Sequence, residues 1–257
     1  MSGTFAPAPG SAPFHRQVLA QASMESRLIL RNGEHLLLAV VIPMIALVGG
    51  TLAARRIDLA IDNRPIDVLT PGVLALAVMS TAFTSLAIAT GFERRYGLLK
   101  RLGASPLPRV GLLLGKVLAL LGVQVLQAIV ICGVALALGW EPSPGLIGVL
   151  AAIAAALLGT CAFAGLGLAL AGTLRAEATL AGANMIYLLL LAGGAVVFPR
   201  DTYGGAGELL QALPSAAIGD AMRSAFIDGT FNLGALAILA AWALVGGTLA
   251  GRFFKWE

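Results

Sequence analysis

The sequence predicts an all-α polytopic membrane protein. It has six transmembrane helices, an N-terminal interfacial helix, a short cytoplasmic helix and re-entrant helices on the outer side. Three observations carry this prediction. Charged residues make up only 12% of the chain, against about 25% in soluble domains. Apolar runs of membrane length recur from one end to the other, and Lys and Arg divide unequally among the segments between them. Spans take up most of the length, so one membrane domain is expected over residues 14–257. Residues 1–13, rich in Ala, Pro, Gly and Ser, are expected to be disordered.

Phe14 to Arg31 is patterned as a helix, with Phe14, Val18, Ala22 and Ile29 along one face and Gln17, Gln21 and Arg31 along another. It reads as a helix lying in the membrane interface. The first span is 36–54, with Pro43 inside it as a kink site. Arg55 to Pro71 is polar and reads as an external loop. The second span, 72–92, is rich in Ser and Thr. The third, 110–138, contains Gln124 and Gln127, and Lys116 lies near enough to its cytoplasmic end to snorkel. Gly139 to Pro144 is an external turn with an interfacial Trp140. The fourth span, 145–174, is uncharged and long enough to tilt. Arg175 and Glu177 form a short cytoplasmic turn before the fifth span, 179–198, which contains Asn184. Pro199 to Gly229 is the longest external segment, amphipathic and interrupted at Pro214. It reads as two short helices that dip into the outer leaflet or cap the outer face. The external Asp and Arg residues read as a solvated face. The sixth span is 231–251, and Arg252, Lys255 and Trp256 follow at the cytoplasmic interface.

Charge sets the orientation. With both termini inside, 12 of the 17 basic residues are cytoplasmic and 5 external, while the 13 acidic residues divide as 5 and 8. The basic pI is thereby a matter of topology, and no nucleic-acid partner is implied. Cys132 and Cys161 both lie in apolar runs, and His15 and His35 have no second ligand at metal spacing, so no disulfide or metal site is expected. The phosphate-binding pattern GxxxxGK[ST] is absent, so the chain does not bind ATP by that device.

The most strongly basic stretch is FERRYGLLKRLGASPLPR, from Phe92 to Arg109, between two charge-poor runs. One uncompensated Arg or Lys at the bilayer centre costs roughly 2.5–3.5 kcal/mol, so this stretch lies outside the membrane. Tyr96, Leu99 and Leu102 form one stripe of an expected helix from Glu93 to Leu102. Arg94, Arg95, Lys100 and Arg101 flank the stripe, and Pro106 and Pro108 stop the helix.

The order of these residues, with Glu93, Gly97, Leu99, Leu102, Pro106 and Arg109 in place, resembles the coupling-helix segment of the permease subunits of type-2 ATP-binding-cassette (ABC) exporters. The six-span layout, the interfacial helix and the outer re-entrant segment follow the same order. The resemblance implies a non-catalytic permease subunit of the cell (inner or plasma) membrane, paired with a second permease, identical or homologous. It also implies two ABC ATPase subunits that bind ATP and Mg; this chain itself needs no cofactor. Coupling would run through Glu93, Arg94, Arg95, Tyr96, Gly97, Leu98, Leu99, Lys100, Arg101 and Leu102.

Candidate residues of the substrate pathway are Thr84, Ser85, Gln124, Gln127 and Asn184, the polar groups within spans. Walls of Leu, Ala, Val and Gly suit a lipid-like or drug-like amphipathic substrate. The alternative reading is a stand-alone secondary transporter or channel. Such proteins place ionisable groups in mid-membrane, whereas these polar residues do not titrate near neutrality. A membrane enzyme would need a His, Cys or carboxylate cluster in the spans, which the sequence lacks.

Overall fold

The computed structural model describes residues 12–31, 33–56, 64–98, 100 and 108–253. Residues 1–11, most of the stretch expected to be disordered, lie outside this set, as do residues 57–63 of the first polar loop and the end of the chain at Lys255 and Trp256. Among the described residues every regular element is a helix. The main ones in order are α1 (Phe14–Arg31), α2 (Gly33–Arg56), α3 (Pro65–Arg95), α4 (Arg109–Ala137), α5 (Gly145–Thr173), α6 (Ala176–Gly193), α7 (Pro214–Arg223) and α8 (Leu233–Phe253), with short helical turns at Arg200–Ala206, Gly207–Leu210 and Ser224–Asp228. Helices α3, α4, α5, α6 and α8 are long and apolar enough to cross a membrane, and the first predicted span lies in α2, whose described apolar stretch is Val40–Ala53.

Helix α3 is the centre of the bundle. It starts at Pro65, well before the predicted boundary at Gly72. Proline at the first helical position lacks only an N–H that would have no partner there, and Asp67 places negative charge at the helix N-terminus. Every residue from Val68 to Met79 is buried. A helix that is apolar all round is one surrounded by other helices, and α2, α4, α5 and α7 pack against it. From Ser80 to Ser85 its turns widen to a π-helix before α-helical geometry resumes at Leu86.

Helices α5 and α8 meet most extensively of all the pairs. Small residues let their backbones touch. A Cβ added at Gly165 would lie 2.6 Å from the Gly246 carbonyl carbon, and one added at Gly246 would lie 2.8 Å from the Leu166 nitrogen.

The fifth predicted span, 179–198, is displaced to Ala176–Gly193, and the chain unwinds after it. Ala195 takes a positive φ of 52°. The free carbonyls of this turn are met by one side chain. Arg223 on α7 donates to Ala195 O (3.1 Å), Val196 O (3.1 Å) and Val197 O (3.3 Å), and to Asp220 Oδ1 (3.0 Å). Asp220 in turn pairs with Arg200. Burial lowers the Arg223 pKa from its ordinary value, and Asp220 opposes that shift. The expectation of a solvated face is therefore corrected for Asp220 and Arg223. Helix α7, opened by Pro214 as its first residue, is buried among α3, α5 and α8 and is not a surface cap. At the same end Arg64 bridges Asp67 (2.8 Å) and Glu141 (3.0 Å) in the open, as a solvated pair should.

The α5–α8 contact predicts a paired outcome. Gly246→Leu should lower stability in detergent by about 1–3 kcal/mol through overpacking. Gly247→Leu, where an added Cβ meets nothing within 4 Å, should be near neutral. Equal melting behaviour of the two variants would remove the close contact from the account.

Candidate coupling site at the basic end of the bundle

Arg94, Arg95, Lys116 and Arg175 gather where α3 ends, α4 and α6 begin and α5 stops; this is the basic end. Glu93, Arg94 and Arg95 form the last turn of α3, and Tyr96 ends it. Gly97 has φ +68°, a left-handed conformation that glycine adopts without a Cβ penalty. Leu98 and Lys100 are helical again. The single helix expected from Glu93 to Leu102 is thus divided at Gly97. Its first turn belongs to the span, and the described Leu98 and Lys100 lie beyond the break. Leu99, Arg101 and Leu102 lie outside the described residues. On the described part, Tyr96 is 70% exposed and Leu98 37%.

Glu93 points away from that exposed surface. Lys116 Nζ lies 2.7 Å from Glu93 Oε1 and 2.8 Å from Glu25 Oε1, and Gln21 Nε2 donates to Glu25 Oε1 at 2.9 Å. The lysine side chain is 4% exposed, Glu25 11% and Glu93 15%. Lys116 therefore does not snorkel to water as expected. Two carboxylates reach it inside the protein, which removes the need. One of them comes from α1, which the sequence placed in the interface. Val18, Gln21, Ala22 and Glu25 of α1 are buried, with the helix running along α4, while Leu19 and Leu28 stay exposed, as an interfacial helix requires.

Arg94 and Arg95 tie the same turn to the α5–α6 connection. Arg94 donates to the carbonyls of Gly172 and Leu174, which α5 leaves without helical partners at its C-terminus, and Arg95 pairs with Glu177. Tyr96 is held to this turn by stacking on Phe92, with ring centroids 6.2 Å apart, and by the Arg95 guanidinium 5.9 Å from its ring. The exit of α3 is thereby fastened to α1, α4, α5 and α6 at once.

The predicted pathway residues do not converge. Gln127 on α4 accepts from Thr81 of α3 at 2.8 Å, and Gln124, one turn earlier, is 2.9 Å from the Thr160 hydroxyl of α5. Thr84 is buried with no partner for its hydroxyl, Ser85 is half-buried, and Asn184 is exposed on α6. The Glu25–Lys116–Glu93 cluster was missed by sequence reading. Its signal was depth: Glu93 ends one span, Lys116 interrupts the next just inside its start, and antiparallel neighbours put both at one level.

No group of three or more His, Cys, Asp or Glu suited to a metal occurs among the described residues. The family model of the ABC-2 type transporter matches residues 16–227. The chain belongs to that family. No curated protein matches it. This ABC-2 membrane domain is a permease component and, with its apolar helices, a multi-pass membrane protein.

Breaking a buried ion pair by removing one partner costs about 3–5 kcal/mol, whereas replacing the whole set by neutral groups is often tolerated. Lys116→Met should accordingly destabilise the chain by that order and release α1 to protease. Adding Glu25→Gln and Glu93→Gln should recover most of the stability. A Lys116→Met variant as stable as the parent would mean the cluster holds nothing together.

Proposed function

We propose that this permease is the membrane subunit of an ATP-driven exporter, in which the segment from Glu93 to Leu102 receives the movement of a separate ABC ATPase. The observation that carries the reading is the fastened exit of α3. Tyr96 and Leu98 present apolar surface outward while the preceding turn is held by Lys116, by the Gly172 and Leu174 carbonyls and by Glu177. A displacement at Tyr96–Lys100 then has no slack to absorb it before reaching the spans, unlike a Gly/Ser-rich loop. Gly97 sets the direction of the outer segment without lengthening the connection.

In this reading the basic end is cytoplasmic, both termini lie inside and the membrane is the cell membrane. Two ATPase subunits bind ATP and Mg, and two permeases, identical or homologous, enclose the path of a hydrophobic or amphipathic substrate. The second permease packs on α2 and α6. The exposed apolar residues Val41, Ile45, Met185, Leu188 and Leu189 support that choice. Gly193 has open space above it, as a helix contact requires, and an added Cβ at Gly182 would meet Leu174 Cδ1 at 3.9 Å, an ordinary contact distance. Gly194, assigned by the sequence to this interface, packs inside the chain instead, where an added Cβ would sit 2.5 Å from the Ser215 hydroxyl.

Two measurements test the proposal. The purified chain alone should show no ATP turnover. Leu99→Asp with Leu102→Asp should insert and assemble normally, yet lose export and transport-coupled ATPase activity in the reconstituted complex, because charge in a desolvated contact costs several kcal/mol. A double variant that co-purifies with its ATPase and exports like the parent would reduce the segment to a topological loop.

A further inference from the structure

A cavity of about 500 Å³ lies between α3, α4, α5 and the end of α7. Its size falls in the range of ligand pockets, about 300–1,000 Å³. Its wall is hydrocarbon apart from the sulfur groups of Cys132 and Met222 and one amide, that of Gln124. No charged residue lines it. Val125 of α4 and Ile153 of α5 sit on its rim and are exposed, at 61% and 51%. In a bilayer these positions meet acyl chains, so the cavity opens towards lipid.

Gln124 is the feature that plain packing does not explain. It is buried, and its Nε2 has no partner. Its Oε1 is 2.9 Å from the Thr160 hydroxyl, which is also 2.7 Å from the Ala156 carbonyl. A hydroxyl has one proton. If it goes to Ala156, the amide turns over, Nε2 donates to Thr160 and Oε1 is left instead. In either orientation one end of the amide lacks a partner at the wall of a dry cavity, near the middle of α4. Hydrocarbon depth offers no water to satisfy it, and a plain acyl chain has nothing to offer.

We propose that this cavity binds one uncharged, elongated lipid-like molecule that carries an isolated hydrogen-bonding oxygen within its hydrocarbon, and that Gln124 meets that oxygen. The absence of charge in the wall excludes an ionic headgroup. A hydroxyl fits either orientation of the amide, since it both donates and accepts. The molecule enters from the bilayer between α4 and α5. The site rests on the spans and their packing alone, and it stands or falls separately from coupling to an ATPase.

The test is photolabelling of the full chain in nanodiscs, without ATPase or ATP. One probe is a palmitoyl-length chain with a mid-chain hydroxyl, a diazirine and a terminal alkyne. The control probe lacks only the hydroxyl. The hydroxyl probe should label the α4 and α5 peptides around Val125 and Ile153 several-fold more than the control. Gln124→Leu should erase that preference while leaving control labelling unchanged, which reports an intact cavity. Gln124→Asn, an amide with shorter reach, should weaken the preference. Ala156→Trp should fill the cavity and suppress both probes. Equal labelling of the parent by the two probes overturns the proposal, and so does a preference that survives Gln124→Leu.

Discussion

Lys116, placed between Glu25 and Glu93, is the contact on which the basic end of this permease depends. A lone ammonium at that depth would be costly, and so would either carboxylate. Together they make three separate helices answer to one point. The helix α1 has no core of its own, and its apolar residues beyond Val18 and Ala22 are largely exposed. What fixes it along α4 is the polar side, Gln21 and Glu25. The face that α1 buries against the protein is thus mixed, with Gln21 and Glu25 beside Val18 and Ala22.

The opposite end applies the same rule with a different donor. Where α6 stops at Gly193, three consecutive carbonyls are left in a region with little access to water. Such groups must find partners. Arg223 supplies them from α7, and its planar fork reaches several acceptors at once, which a lysine ammonium on a flexible stem does far less well. The re-entrant helix is thus more than a plug, because it lets a span end short of the surface without stranding its backbone.

These two devices mark the limit of what the sequence disclosed. The spans were legible, since an apolar run of membrane length has few alternatives to a helix. The turn at Gly139–Pro144, the helix start at Pro214 and the basic segment after α3 were legible too, each from a proline, a glycine or a charge. Misplaced boundaries arose where composition and backbone disagree. Residues 195–198 are as apolar as a span, yet they are unwound, because a side chain on a later helix satisfies them. Pro65 to Pro71 looked like loop, because polar residues and prolines there hide a helix start. Tyr96, expected on one stripe with Leu99 and Leu102, is exposed, and so is Leu98. Glu93, expected on the same helix, turns inward to Lys116, because a residue's partner across the bundle depends on helix packing, which periodicity does not encode.

Between its ends the bundle is held more lightly. The links at mid-depth include hydrogen bonds between neutral groups, Thr81 to Gln127 and Thr160 to Gln124. Interhelical bonds of this kind in membranes average about 0.6 kcal/mol, against roughly 3–5 kcal/mol for breaking a buried ion pair. The middle of the bundle is also where α3 departs from α-helical geometry, between Ser80 and Ser85. π-helical turns are rare and occur often at functional sites. The middle of α3 is thus the part of the helix best able to shift, flanked by a firmly fastened end and an outer half that is buried on all sides.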